Sequence, residues 1–322
     1  MNPFSSQLVK DAASVWKVMN GVFSIYKPPG LHFEQMKETI MRNICRDLNQ
    51  LKPYERQKYV DIKGSTQTKM SVVVRDSYAD HPLIAGPQYV LEDLKFTYAN
   101  KLSQESSGVI VCGINHGSQI IQQLREARLT KFYKIRGILG QARIGNFATG
   151  KLTHKATWKR IRRHGIDAVC AYMQADHQKK MFQMAGVDIR TQEAYDLATQ
   201  GIIRTGDAKI PMIYSIKCVD FQPPEFTLEM VCLTEDDDYL KSIVAELGYK
   251  LHSFAHCSYM QCTQFGLFNV RDALLTKNWN LQEILDSMSL NRQLLLENPH
   301  MLDPHDPKNA HLQLKSDANN NA

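Results

Sequence analysis

The chain has 322 residues, 43% of them hydrophobic and 22% charged, which excludes both a wholly disordered chain and a disulfide-rich mini-fold. Its formal net charge of +6 is mildly basic, so it permits a polyanionic partner without demanding one. Cys45, Cys112, Cys170, Cys218, Cys232, Cys257 and Cys262 lie singly with no CxxC spacing, the pattern of reduced core thiols rather than of a disulfide framework or a zinc site.

From Gly21, Val22-Phe23-Ser24-Ile25-Tyr26 reads as a strand halted by the Pro28-Pro29-Gly30 turn. Phe33, Met36, Ile40, Ile44, Leu48 and Leu51 then recur at helical spacing, with Lys37, Glu38, Arg42 and Asp47 off the stripe. The polar, lysine-rich stretch 53–68 is expected to be an exposed loop. Ser71 to Arg75 and Gly108 to Ile114 read as buried strands. A helix is predicted from Ser118 to Leu129, and a strand from Tyr133 to Leu139 that Gly140 ends. Met212 to Phe221 and Phe226 to Leu233 flank Gln222-Pro223-Pro224-Glu225 as an antiparallel pair. Thr234 to Asp238 supplies caps and acids for a helix whose buried face is Leu240, Ile243, Val244, Leu247 and Leu251. One or two weaker helices fall within Ala273 to Leu296, and a solvated polar tail follows Glu297.

This order of elements predicts an α+β fold around a largely antiparallel mixed sheet. It divides the chain into an N-terminal extension over 1–20, a domain over 21–276, and a short helix with a disordered polar tail over 277–322. No apolar run approaches a membrane span and the first twenty residues lack a signal-peptide core, so a soluble protein is expected. No Gly-rich phosphate loop appears.

Three segments carry chemistry. Lys27 ends a strand on a turn stiffened by two prolines, where it is either a plain surface residue or a ligand-facing cation. Asn100 to Val111 is a polar loop feeding a buried strand, a place where a site can sit. Lys151, Lys155, Lys159, Arg160, Arg162 and Arg163 surround Trp158 with no acid among them, which suits either backbone phosphates or a solvated loop. Tyr133, between Lys131 and Lys134, reads equally as a base-stacking ring or as a core-edge tyrosine.

Taken in order, these segments resemble the TruB family of RNA pseudouridine synthases, and more closely its animal mitochondrial branch. The resemblance spans roughly Gly21 to Leu275. It rests on Tyr26-Lys27-Pro28-Pro29-Gly30, Leu102 to Val111, Lys131-Phe132-Tyr133, and Gln192 to Ala198 before Gly201. It continues through Pro211 to Lys217, Ala245-Glu246-Leu247-Gly248, Ala255-His256 and Phe268 to Leu274. It implies a pseudouridine-synthase fold, a sheet flanked by helices with an RNA-binding cleft into which a uridine is flipped. An aspartate then acts on the nucleoside so that the base detaches, turns and rejoins through carbon, without metal or organic cofactor. The implied partner is tRNA, mRNA or rRNA, with a larger ribonucleoprotein complex as a second context; the oligomeric state is left open and no membrane is involved. Mitochondrial residence follows from the branch resembled, because Met1 to Asn20 contains Asp11 and no arginine and makes a poor transit peptide.

The resemblance also exposes departures. Ser103 stands where the family has its nucleophilic aspartate, and Lys241 where it has the arginine that pairs with that aspartate. Met260 to Phe268 lacks the arginines usual before the family's Gly-x-Phe. A serine hydroxyl without a base stays protonated, so the pattern is that of a pseudoenzyme unless a nearby acid such as Glu105 substitutes. Two expectations follow: an RNA-uridine isomerase with a displaced carboxylate, or a catalytically dead RNA-binding or chaperone protein on the same fold. In either, Ser103, Tyr133 and Lys241 line one cleft, with Lys27 and the basic run as RNA contacts.

Overall fold

Periodic apolar residues turn into packed elements wherever they have a partner to bury them. The computed structural model describes residues 11–51, 58–64, 67, 69–77, 82–199 and 210–303. The chain runs through α1 (Ala12–Val18), β1 (Gly21–Lys27), α2 (Phe33–Gln50), β2 (Lys58–Lys63), β3 (Ser71–Asp76), α3 (Pro82–Ala85), β4 (Phe96–Tyr98) and β5 (Ser107–Ile114). It continues with α4 (Gly117–Glu126), β6 (Lys131–Leu139), β7 (Gln141–Arg143), β8 (Leu152–Lys155), α5 (Arg163–Met184) and α6 (Gln192–Thr199). Then come β9 (Met212–Gln222), β10 (Glu225–Leu233), α7 (Asp237–Lys250), β11 (Ala255–Phe265), β12 (Phe268–Asn269) and α8 (Leu281–Glu297).

The central sheet has the order β1-β5-β11-β6-β10-β9, with β4 paired to β5 and β12 to β11. Every pairing in it is antiparallel except β5 with β11, which meet in parallel only through Ser107 with Gln261 and Gly108 with Cys262. That narrow junction joins two antiparallel halves. The expected α+β architecture with a mixed sheet flanked by helices is therefore the one observed. Alternation along β6 shows how the strands divide their faces: Tyr133, Ile135, Gly137 and Leu139 are buried, while Lys134 and Arg136 face solvent. On the buried side α7 packs against β11, and α5 lies along β9. In α2 the predicted stripe Phe33, Met36, Ile40, Ile44 and Leu48 is buried as a set.

Four expectations change. The stretch 53–68, read as a loop, contains β2, which pairs with β3 in a separate two-stranded ribbon; the rest of that stretch is described only in part. Ser71 to Arg75 is a strand but not a buried one, because Val72 and Val74 pair across to Ile62 and Val60 in a ribbon that no described element covers. The basic segment is not a plain loop, since β8 and the first turn of α5 take up its two ends. Beyond residue 276 the core continues: α8 packs on β1 and α2, and Met301 in the short turn after it is fully buried. The remainder of the predicted tail, residues 304–322, and residues 1–10 lie outside the described residues.

Candidate active site

The loop between β4 and β5 is pinned from below. Asn100 donates to the Val109 carbonyl at 2.9 Å and accepts from the Val111 N–H at 3.1 Å, while Leu102 is buried in the core. Lys27 is fully buried and its ammonium donates to the carbonyls of Pro28, Gln104 and Ser106 at 3.1, 3.2 and 2.7 Å. Three donors meet three acceptors, so Lys27 fixes the loop. The expectation that it contacts RNA is corrected on this ground. Gly30, at a φ of 86° that only glycine adopts freely, donates its N–H to the Gln104 carbonyl and completes the clamp. Burial pulls the Lys27 amine down to about 8, the negative charge of Asp237 opposing the shift.

Above the loop sits the start of α7, where three consecutive acids have separate tasks. Asp236 is the N-cap, accepting from the Tyr239 N–H at 2.7 Å. Asp237 is buried at 8% exposure, and its Oδ2 accepts the Ser103 N–H at 2.5 Å. Asp238 is exposed and pairs with Lys241 at 3.2 Å. Lys241, itself buried, forms its shorter ion pair with Glu105 at 2.7 Å and lies 5.5 Å from the centre of the Phe147 ring. Burial alone would lower its pKa, yet the bonds to Glu105 and Asp238 outweigh that and raise it. The other Glu105 oxygen accepts from the Thr149 hydroxyl.

Tyr133 enters the same region from β6. Its hydroxyl donates to Glu235 at 2.7 Å, and the same Glu235 oxygen receives Lys131 at 2.9 Å. Burial first, and then the charges of Glu235 and Asp237, push the Tyr133 phenol well above its usual range, so it is a neutral donor at physiological pH. Ser103 contributes little chemistry of its own: its Oγ lies 3.1 Å from the Ser106 hydroxyl, and it meets the Asp237 carboxylate through its backbone N–H. The nearby thiols of Cys257 and Cys262 are pushed up by burial to about 12, which removes them as nucleophiles near neutral pH. Among the described residues no group of three or more His, Cys, Asp or Glu is placed to hold a metal ion.

The residue-103 loop, Tyr133 and Lys241 thus gather around the first two turns of α7. The profile of the TruB family pseudouridylate synthase (N terminal domain) matches residues 89–236, which contain the loop and Tyr133. Human mitochondrial pseudouridylate synthase TRUB2 is 33% identical over 277 residues, covering 84% of this chain and 83% of its own length. The chain belongs to the TruB family. The Xenopus tropicalis TRUB2 is likewise 33% identical, over 85% of this chain and 86% of that protein. Among solved structures, the archaeal box H/ACA Nop10–Cbf5 complex aligns with 84% of this chain and 62% of its own, at a TM-score of 0.45 and 12% identity.

In this TruB member Ser103, Glu105 and Lys241 meet at the start of α7, and Tyr133 joins them through Glu235. Thr149, two residues before Lys151, reaches Glu105, which brings the start of the basic run beside this group. Lys151, Lys155, Lys159, Arg160 and Arg162 are exposed. Arg163 is also exposed, but its guanidinium is tied to Asp167 and to the Cys218 carbonyl, so it is committed to α5 and β9. Sequence reasoning missed Asp237 and Glu235. The run Glu235-Asp236-Asp237-Asp238 reads as helix-capping acids, and one cap satisfies that need; the surplus of acid was the available signal.

Proposed function

We propose that the chain isomerises uridine to pseudouridine in RNA, with the flipped nucleoside seated between the residue-103 loop, Tyr133 and the start of α7. The single observation that carries the reading is this convergence in a member of the TruB family, with Lys241 ion-paired to the carboxylate of Glu105. The TRUB2 relatives are mitochondrial enzymes, and the chain is placed in that compartment with them. RNA is the substrate class, drawn along the exposed cations from Lys151 to Arg162 by charge rather than by base sequence.

Ser103 does not begin the reaction in this reading. An unactivated hydroxyl whose neighbour is another hydroxyl has no group to take its proton. The test is single-turnover release of tritium from RNA labelled at carbon 5 of uridine, using mitochondrial RNA and enzyme in excess. Release to water accompanied by pseudouridine in the digested RNA is the expected result. Tight RNA binding without release would replace this reading with a non-catalytic RNA-binding role.

A further inference from the structure

We propose that Asp237, at the start of α7, supplies the carboxylate that position 103 lacks. This assignment rests on the isomerase reading above and gives that reaction its attacking group.

The Asp237 Oδ2 lies 2.5 Å from the backbone nitrogen of Ser103, so a carboxylate stands directly beside the residue whose own side chain carries none. A buried carboxylate is costly to take out of water, and such a group is kept where it has work. Helix capping is not that work, because Asp236 caps α7. Pairing with Lys241 is not that work either, because Asp238 and Glu105 do it. What remains around Asp237 is the Ser103 loop, the buried Lys27 amine and the Tyr133 phenol, both of which feel its charge.

The other groups around it are otherwise engaged. Both oxygens of Glu105 are held, one by Lys241 and the other by Thr149, so its carboxylate serves as the counter-charge for a buried lysine. Ser103 lacks a base, and the Cys257 and Cys262 thiols stay protonated. Asp237 is the carboxylate in contact with the residue-103 backbone, and one hydrogen bond to Oδ2 leaves Oδ1 to act.

The chemistry closes without any other reagent. Oδ1 forms a bond to C1′ of the flipped uridine as the C1′–N1 bond breaks, and the electron pair leaves on the uracil ring. The ring turns so that C5 faces C1′. The C5–C1′ bond forms as the carboxylate leaves with its electron pair; the C5 proton passes to water and N1 takes one back. The product is an isomer, so no oxidant or reductant enters.

The experiment uses the full chain and the carbon-5 tritium assay, with Asp237→Asn, Ser103→Ala and Glu105→Gln compared for release, RNA affinity and thermal stability. Asn retains the carbonyl that accepts the Ser103 N–H, so the loop anchor survives while the charge goes. Asp237→Asn is expected to lower single-turnover release by about 1,000-fold or more at unchanged RNA affinity, a loss that a purely structural acid would not show. Ser103→Ala is expected to fall by less than about tenfold, because it removes no ionised group. Adding Ser103→Asp to Asp237→Asn is expected to restore part of the release, since it returns a carboxylate to the same point from the loop side. Release that survives Asp237→Asn, or that Glu105→Gln abolishes while Asp237→Asn does not, overturns this proposal and leaves the isomerase standing. No release from the unaltered chain overturns the isomerase reading and Asp237 with it.

Discussion

Replacing Gly108 with alanine should split the sheet at its weakest seam. Gly108 has a φ of 130°, a conformation that residues with a Cβ rarely adopt. A Cβ placed there would lie 2.6 Å from the nitrogen and 2.8 Å from the carbonyl carbon of Cys262, and closer still to its oxygen, all of them backbone atoms of β11 that cannot rotate aside. Backbone strain contributes roughly 1–3 kcal/mol, and forcing the strands apart roughly another 1–3 kcal/mol. The expected destabilisation is therefore about 4 kcal/mol, a large part of the roughly 5–15 kcal/mol that holds a typical domain folded. The consequence reaches function because β5 and β11 pair only at Ser107–Gln261 and Gly108–Cys262, directly below the residue-103 loop. Gly30→Ala is the internal control: its φ of 86° is also positive, but nothing lies within 4 Å of the added Cβ, so it should cost only about 1 kcal/mol of strain. Urea unfolding followed by the fluorescence of Trp16, Trp158 and Trp279 measures both. Equal costs for the two variants would refute the close-approach argument and leave only the dihedral one.

Lys27→Met should destabilise the chain by about 2 kcal/mol by leaving the buried Ser106 carbonyl without its donor, and amide hydrogen exchange should quicken across residues 103–107. The Lys27 amine has a folded pKa of about 8 against an ordinary 10.5, so between those values the unfolded chain holds a proton that the native chain has released. The stability of the unaltered chain relative to Lys27→Met should accordingly rise with pH from 8 to 10.5, and a flat difference would place the amine in water. Glu235→Gln should cost about 3–5 kcal/mol in a thermal or urea melt, because it strips the charge from a fully buried carboxylate and strands Lys131. Neutralising Arg160 and Arg162 should reduce the salt slope of RNA binding by about 0.7–0.9 for each phosphate that these side chains neutralise. Adding Arg163→Ala should change the slope no further, since that side chain is already held by Asp167 and Cys218.

Local pattern is enough to locate most of the scaffold. The stripe of α2, the alternation of β6, the Pro-Pro turn between β9 and β10 and the capped start of α7 are all written in short-range spacing, because each element buries one face and shows the other. The ordered segments around Lys27, Ser103, Tyr133 and Lys241 likewise point to the family without any knowledge of the fold. What pattern could not decide was which residues meet across long stretches of chain. Val72 and Val74 read as buried because they are apolar, yet burial depends on a covering layer, and among the described residues the β2–β3 ribbon has none. The helix α5 escaped notice because its buried face of Ile166, Cys170, Met173, His177 and Met181 mixes polar and apolar side chains. Lys27 looked like a surface cation until the fold placed three carbonyls around it, two of them more than seventy residues away in sequence. Asp237 is the sharpest case: as one acid in a run it is a cap among caps, and only the folding of α7 onto β11 carries its carboxylate to the backbone of Ser103, 134 residues distant. A hydrogen bond is set by distance in space, and sequence spacing reports that distance only within a single element.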